Sequence, residues 1–491
     1  MKINKLIFPV FAVLLIPGII ITTNSCVEKN PIASKIDQLE KDGIFSCTDL
    51  DEVHQLILKN QNDRNFKSFF LNEAVDTLKL NKLIKSKIGE AEFEKLNCDS
   101  IANVSPKAKH VHIYLENSGS MDGYVNGITD YEAALADLVV ETQHYYGKEN
   151  LSVNFINSEI IPAHITDINS FFKSLNPGEK PYNVGNKSVS ELNELFKNVL
   201  AKTDKEDISI FISDCIYSLD KSRSTLEGLI FQQSLTKAVF LEKSNEFPLS
   251  AYVLQMNSSF TGKYYDKDNR VTVLSKEQRP YYIWILGEES LLKDFLLKRN
   301  PNKYRGFKNS FYFTSNLNSK LRFELLKSTG LEGRVSFNRD NNTIIDGIKF
   351  KDGKFQFAIA VDFKNYPDQT TVLNKNSYKI TPGFEIVTID PIPENNQPAI
   401  IQHNDWNKIS KSAFTHLITI KTNDSNFPSD FNLSFINSLP NWVDSASTDD
   451  DSDIKNNLDK TFGFKFLIKG IQSAYESNGI KSSKIELTLN K

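Results

Sequence analysis

Four cysteines among 491 residues are too few to staple a fold of this length, and no two stand in a Cys-x-x-Cys spacing. A disulfide scaffold and a thiolate zinc site are thereby excluded. An excess of charge of one sign is missing too: 58 basic and 61 acidic residues leave a formal net charge of −3. Such a chain carries no long-range field to gather nucleic acid, so nucleic-acid binding is not expected. No Gly-x-Ser-x-Gly stretch offers the nucleophile elbow of a hydrolase, and no segment repeats.

What is present begins at the amino end. Lys2 and Lys5 precede an apolar run from Leu6 to Thr23, interrupted by Pro9, Pro17 and Gly18, and the run stops at Thr23-Asn24-Ser25-Cys26. A positive n-region, an apolar h-region and a small-residue cleavage site describe a removed signal better than a permanent span. The stretch resembles a bacterial lipobox, although Thr23 and Asn24 depart from the usual Leu and Ala or Ser. The resemblance implies that residues 1–25 are a lipoprotein signal peptide and that Cys26 carries the lipid that anchors the chain to a membrane. Val27 is not the aspartate that retains such proteins in the inner membrane, so outer-membrane placement in a cell envelope is expected. Of the other cysteines, Cys47 and Cys98 either pair in that oxidising compartment or stay as two half-buried thiols.

The length calls for two to four domains. Residues 26–104 show apolar positions at three and four spacings, as in Val53, Leu56 and Ile57, then Phe66, Phe69 and Phe70, then Leu80, Leu83 and Ile84. This is a helical segment, read as a spacer. From residue 105 to 300, apolar strands alternate with amphipathic helices, the mark of an α/β sheet. Strands are expected at Val111 to Glu116, Ser152 to Ile156, Ile208 to Ser213, Ala251 to Met256 and Tyr281 to Leu286. Helices are expected near Asp130 to Tyr146, Ile168 to Leu175, Val189 to Ala201, Leu226 to Lys243 and Glu289 to Lys298. Beyond residue 300 the period changes to two, as in Phe355, Phe357, Ile359, Val361 and Phe363, with turn signals between runs. A β-rich, sandwich-like region is therefore expected over 301–491, closed by a helix near Phe462 to Glu476 and a strand at Ile485 to Leu489.

The chemistry concentrates where the first α/β strand ends, in Val111-His-Ile-Tyr-Leu-Glu116-Asn-Ser118-Gly-Ser120-Met121. A carboxylate and two hydroxyls at i, i+2 and i+4, on a loop leaving a parallel strand, converge at the carboxyl edge where open α/β sheets bind ligands. Hard oxygen donors suit Mg²⁺ or Ca²⁺. The stretch resembles the metal-ion-dependent adhesion site of von Willebrand factor type A domains, whose pattern is Asp-x-Ser-x-Ser. Farther on, the buried run ending in Asp214-Cys215 resembles that family's Thr/Ser-Asp-Gly motif, and Val184-Gly185-Asn186-Lys187-Ser188 lies where the family has a threonine ligand.

The resemblance implies a doubly wound, mainly parallel α/β sheet of the type A (Rossmann-like) kind and a site for Mg²⁺, or Ca²⁺ or Mn²⁺. Ser118 and Ser120 would ligate directly, Glu116 and Asp214 through water, and Asn186, or alternatively Ser188, would stand for the threonine. Glu116 in place of aspartate adds a methylene, and Cys215 replaces glycine; both depart from the family pattern. The function implied is metal-dependent binding of a protein partner. A structural envelope component with a metal-free site, or a metal-assisted hydrolase, are the alternatives, and the lack of a His or Lys base near the motifs speaks against the hydrolase. His110 and His112 share one side of a strand with no third ligand evident, and the acidic run Asp449 to Asp453 is read as a solvated loop.

Overall fold

The computed structural model describes residues 30–40, 45–61, 63–71, 74–89, 93 and 107–491, without 166, 189–190, 221, 315–320, 339–340, 365, 394–395, 411–413, 437 and 478–482. The signal segment, Cys26 and Cys98 lie outside the described residues, so neither the lipid anchor nor the Cys47–Cys98 pairing is represented. Among the described residues no helix is long and apolar enough to cross a membrane. The chain divides into two compact units, Met1–Val104 and Ser105–Lys491.

The first unit holds helices α1 (Pro31–Leu39), α2 (Cys47–Lys59) and α3 (Thr77–Ile88) and a two-stranded ribbon of β1 (Phe70–Leu71) and β2 (Ala74–Val75). Each helix starts on a side-chain cap that satisfies the free amides of its first turn: Asn30, then a Ser46–Asp49 capping box, then Asp76. Ile32, Ile36, Val53, Ile57, Leu80 and Ile84 share a core of their own. The segment expected to be a spacer thus buries its apolar stripes within itself.

The second unit opens with β3 (His110–Glu116), α4 (Asp130–Tyr146), β4 (Leu151–Ile156), β5 (Ile160–Pro162), α5 (Ile168–Lys173), α6 (Leu192–Ala201) and β6 (Asp207–Ser213). There follow α7 (Thr225–Ser244), β7 (Leu249–Tyr265), β8 (Val271–Glu288), α8 (Glu289–Arg299) and β9 (Phe307–Phe313). They build a seven-stranded sheet in the order β5-β4-β3-β6-β8-β7-β9. Val111, Ile113 and Leu115 of β3 face a core shared with α4 and α8, and Tyr114 faces the opposite core shared with α6 and α7. Helices cover both faces, as the nearly all-apolar strands require.

The sheet is mixed, not mainly parallel. β3 runs parallel to β4 and β6, whereas β5, β8, β7 and β9 pair antiparallel to their neighbours. The cause lies between Met256 and Tyr281. The two strands expected there are the inner ends of strands of 17 and 18 residues, joined by a hairpin, and a hairpin makes neighbours antiparallel. The outer half of this hairpin runs on past the carboxyl ends of β3 and β6.

The remaining elements are β10 (Phe323–Leu326), β11 (Arg334–Phe337), β12 (Ile344–Lys349), β13 (Phe355–Val361), α9 (Gln369–Leu373), β14 (Tyr378–Ile380), β15 (Phe384–Pro391) and α10 (His403–Ile409). β16 (His416–Thr422), β17 (Asp430–Phe435), α11 (Trp442–Ser445), β18 (Ser447–Thr448), β19 (Thr461–Phe462), α12 (Phe464–Ser477) and β20 (Ser483–Leu489) complete the chain. A sheet of order β10-β13-β16-β15 lies against one of order β11-β12-β20-β17-β14, with the Phe357 and Phe431 rings meeting edge-on at 5.4 Å. Period two decides the faces: Ile418 and Ile420 enter this shared core, while Leu417, Ala358 and Ala360 turn outward beneath Ile409 of α10.

Two elements from this half reach the first sheet. β9 forms its edge, and α12 packs along α7 so closely that a Cβ on Gly470 would stand 2.6 Å from the Gln233 carbonyl. Residues 105–491 fold as one compact unit.

Candidate functional site

β3 and β6 are adjacent and parallel, with Leu115 beside Ile212, so the segments that leave them emerge together at the carboxyl edge. One carries Glu116, Ser118 and Ser120, and the other carries Asp214. Ser118 Oγ and Ser120 Oγ are 3.0 Å apart, and Asp214 accepts a hydrogen bond from the Ser120 side chain. Glu116 and Asp214 are 2% and 3% exposed. Four of the five expected donors therefore leave two adjoining strands at one sheet edge, with Glu116, Ser118 and Asp214 buried and Ser120 half-buried.

The fifth is not. Asn186 is exposed, and its carboxamide oxygen is taken by the Ser188 amide at 3.1 Å and by the Ser188 hydroxyl. The side-chain oxygens of that pair are engaged with each other. Their loop touches the site through backbone instead, with the Gly119 amide donating to the Lys187 carbonyl at 3.0 Å. The reason for the difference is turn chemistry: an Asn followed two residues later by Ser closes a local turn on itself.

The arrangement is rigid. Asn117, fully buried between the two motif positions, donates to the carbonyls of Tyr182 and Val184, both at 2.9 Å, and accepts from Asn157 at 2.9 Å. Removing that amide would take one of two donors from each of these carbonyls, which the Val184 amide and the Asn157 side chain also serve, and would cost Asn157 an acceptor. The hairpin overhang holds the other side: Asn126 donates to the Thr261 carbonyl at 2.8 Å, Ser258 Oγ accepts from the Tyr131 amide at 3.0 Å, and Gly123 meets the Phe260 ring without room for a Cβ.

The electrostatics follow from burial. Desolvation raises the Asp214 carboxyl, against hydrogen bonds from Ser120 and the Ile216 amide and the field of Arg279. Arg279 is 1% exposed and donates to the carbonyls of Asn457, Leu458 and Lys460. Tyr131 and Tyr182 are pushed well up, first by burial and then by charges that include Glu116 and Asp214. A bound cation would favour the charged form of carboxyls that burial alone disfavours. A donor set of hydroxyls and carboxylates suits Mg²⁺, whose bonds of about 2.0–2.1 Å set neighbouring ligands about 2.9 Å apart, close to the observed serine separation.

Cys215 explains its own departure from glycine. Its backbone is left-handed, with φ of 55°, a conformation that normally selects glycine. The side chain that this geometry penalises is fully buried and receives the Trp284 indole N–H at 3.3 Å.

Several participants escaped the sequence. Lys187 lies beside the motif after all, its ammonium 2.5 Å from Asp122 and 4.8 Å from the centre of the Tyr182 ring, held in an ion pair. The acidic run is not wholly solvated: Asp451 is fully buried, while Asp449, Asp450 and Asp453 are exposed. The third donor missing beside His110 and His112 is Asp207, which opens the adjacent parallel strand. A signal for it existed in the carboxylate that directly precedes the run Ile208-Ser-Ile-Phe-Ile, since parallel neighbours begin side by side. Comparison of the chain with protein-family models, curated proteins and solved structures finds no match.

Proposed function

We propose that this chain is a cell-envelope lipoprotein, anchored by lipid on Cys26 at the outer membrane, whose second unit grips a protein partner through a bound Mg²⁺. In this reading the α/β layer is of the von Willebrand factor type A kind. Glu116, Ser118, Ser120 and Asp214 hold the ion, and a carboxylate of the partner completes its shell. The observation that carries the proposal is the pair of serine hydroxyls 3.0 Å apart, with Asp214 bonded to one of them at the carboxyl edge of the sheet. Ion binding here would turn that edge from an acidic recess into a receptor for an anionic group.

The surroundings suit a protein surface as partner. Ile128 is 100% exposed on the segment that leaves the serine loop. The Tyr265 ring lies against Gly119, and its register partner Val271 and the nearby Val273 are 51% and 71% exposed on the same face of the hairpin. Exposed apolar residues around a polar centre are the usual makings of an interface.

A second reading, a structural envelope component with a metal-free site, has one observation in its favour: Asn186 and Ser188 satisfy each other and contribute no donor. Calorimetric titration of the full chain with Mg²⁺ separates the two. One equivalent bound in the parent, lost in Ser118→Ala and Ser120→Ala, with partner capture abolished by chelator, supports the adhesion reading. No heat with Mg²⁺, Mn²⁺ or Ca²⁺ leaves the structural one.

A further inference from the structure

On the sheet edge opposite the serines, at the amino ends of β3 and β6, three more donors converge. His110 and His112 stand two residues apart on one strand, so both imidazoles leave the same face. Asp207 is the register partner of His110 on the next strand. Its carboxylate bridges them, with Oδ1 3.0 Å from His110 Nδ1 and Oδ2 3.5 Å from His112 Nε2. One donor atom from each of the three lies within 4.8 Å of the others.

We propose that His110, His112 and Asp207 form a second metal site, for a single transition-metal ion of which Zn²⁺ is the fitting member. Two imidazoles and one carboxylate are borderline donors that favour Zn²⁺ over the hard Mg²⁺. Tetrahedral Zn²⁺ with bonds of about 2.0–2.1 Å needs neighbouring ligands about 3.3 Å apart, and the two measured separations straddle that value. A simple histidine–aspartate ion pair needs one imidazole; here each carboxylate oxygen faces its own.

The surroundings of the ligands agree. His112 Nδ1 is 2.7 Å from Ser152 Oγ, a contact that orients the ring so that Nε2 faces Asp207, as partners of metal-bound histidines do. Asp207 is 8% exposed, whereas the His110 and His112 side chains are 40% and 25% exposed. Three protein ligands with a solvent-facing side leave the fourth position open to water or to a donor from another molecule, the form that reactive and transferable zinc sites take.

Four residues of extended strand, about 13 Å, separate His112 from Glu116, so this site and the proposed Mg²⁺ site stand or fall separately. The test is a titration of the metal-stripped full chain with Co²⁺, read by its visible absorption, followed by displacement with Zn²⁺. The expected result is one equivalent with the intense bands of a tetrahedral ion, displaced by Zn²⁺ and not by millimolar Mg²⁺. Affinity falls about ten- to a hundredfold in Ser152→Ala and is lost in His112→Gln and Asp207→Asn, while Ser118→Ala leaves it unchanged. His110→Ala, at the most exposed ligand, keeps the test valid if Asp207→Asn does not fold, as checked by circular dichroism. Absence of Zn²⁺ binding, or binding unchanged in His110→Ala and in folded His112→Gln, overturns the proposal.

Discussion

The Tyr264 hydroxyl donates to the fully buried Asp451 carboxylate across 2.6 Å, and the Lys267 amide donates to the other oxygen of the same group at 3.0 Å. Tyr264 is the last but one residue of the outgoing strand of the long hairpin, and Asp451 belongs to the acidic run 187 residues further along the chain. The hairpin tip is thereby fastened from outside, and the next residue, Tyr265, is the one that lies on Gly119. Arg279 reinforces the joint, with its guanidinium 4.8 Å from the Tyr264 ring centre. The shape of the serine loop therefore depends on a contact made by a distant part of the chain.

Tyr264→Phe tests that dependence. The substitution keeps the ring and removes the donor, leaving a buried carboxylate with one hydrogen bond fewer, which costs about 1–3 kcal/mol. Burial already raises the Asp451 carboxyl, and the tyrosine bond lowers it, so its loss moves the group further up. The expected outcome is a lower denaturant midpoint together with faster amide exchange at Lys267. Unchanged exchange at that amide would show that the tip is held by other means.

Two buried groups of the β-rich half set opposing pH dependences. Burial raises the Asp368 carboxyl to about 6, against its bonds from Thr371. Between about pH 4 and 6 the unfolded chain gives up this proton first, so stability present below about pH 4 is lost as pH rises through about 6. Burial lowers His416 to about 4. There the unfolded chain binds the proton first on acidification, so stability present above about pH 6.5 is lost as pH falls through about 4. Asp368→Asn removes only the first slope. Its stability relative to the parent should grow from near zero at pH 4 to roughly 1–3 kcal/mol above pH 6, measured by denaturant unfolding across that range; a pH-independent difference would refute the assignment.

Local pattern made the elements legible. The helix Asp130–Tyr146 and strands such as His110–Glu116 follow from period and capping, because each is decided by residues within one or two turns. The hairpin was not legible. Its outer half mixes exposed Val271 and Val273 with buried Tyr264 and Leu274, a pattern imposed by the braces of residues 449–460 and not by a period of its own. In the same way Glu116, Ser118, Ser120 and Asp214 could be named from motif order. Asn186 could not be excluded, because its turn with Ser188 is an alternative hydrogen bond that spacing does not reveal. Asp207 needed the strand neighbours to be known before it could join His110 and His112.

Cys215 should be chemically silent in the native protein. Its thiol is fully buried, receives the Trp284 N–H, and is pushed far up from the ordinary thiol range by desolvation, so the reactive thiolate is not populated at neutral pH. Alkylation with iodoacetamide followed by peptide mass mapping should leave Cys215 unmodified in the folded chain and modify it fully in denaturant. Native labelling at a rate near that of a free thiol would mean that the left-handed segment opens.

Glu116 offers the sharpest probe of the carboxyl edge. Its carboxylate stands one methylene farther from the backbone than an aspartate would, on a strand end fixed by β4 and β6 and in a place only 2% exposed. A longer arm in a confined space leaves less room for the water through which this carboxylate would reach the ion, and Mg²⁺ tolerates little departure from octahedral geometry. Glu116→Asp opens that room while keeping the charge. It should tighten Mg²⁺ binding by several-fold to tenfold, about 1 kcal/mol, and Glu116→Gln, which keeps the length and removes the charge, should weaken it. The same order should appear in the metal-dependent gain in stability, which for a single site is about 2.7 kcal/mol at a hundredfold excess over the dissociation constant. Calorimetry and thermal melts of the three proteins decide the matter. If neither substitution moves the Mg²⁺ affinity, Glu116 takes no part in holding the ion, and the serines and Asp214 must act without it.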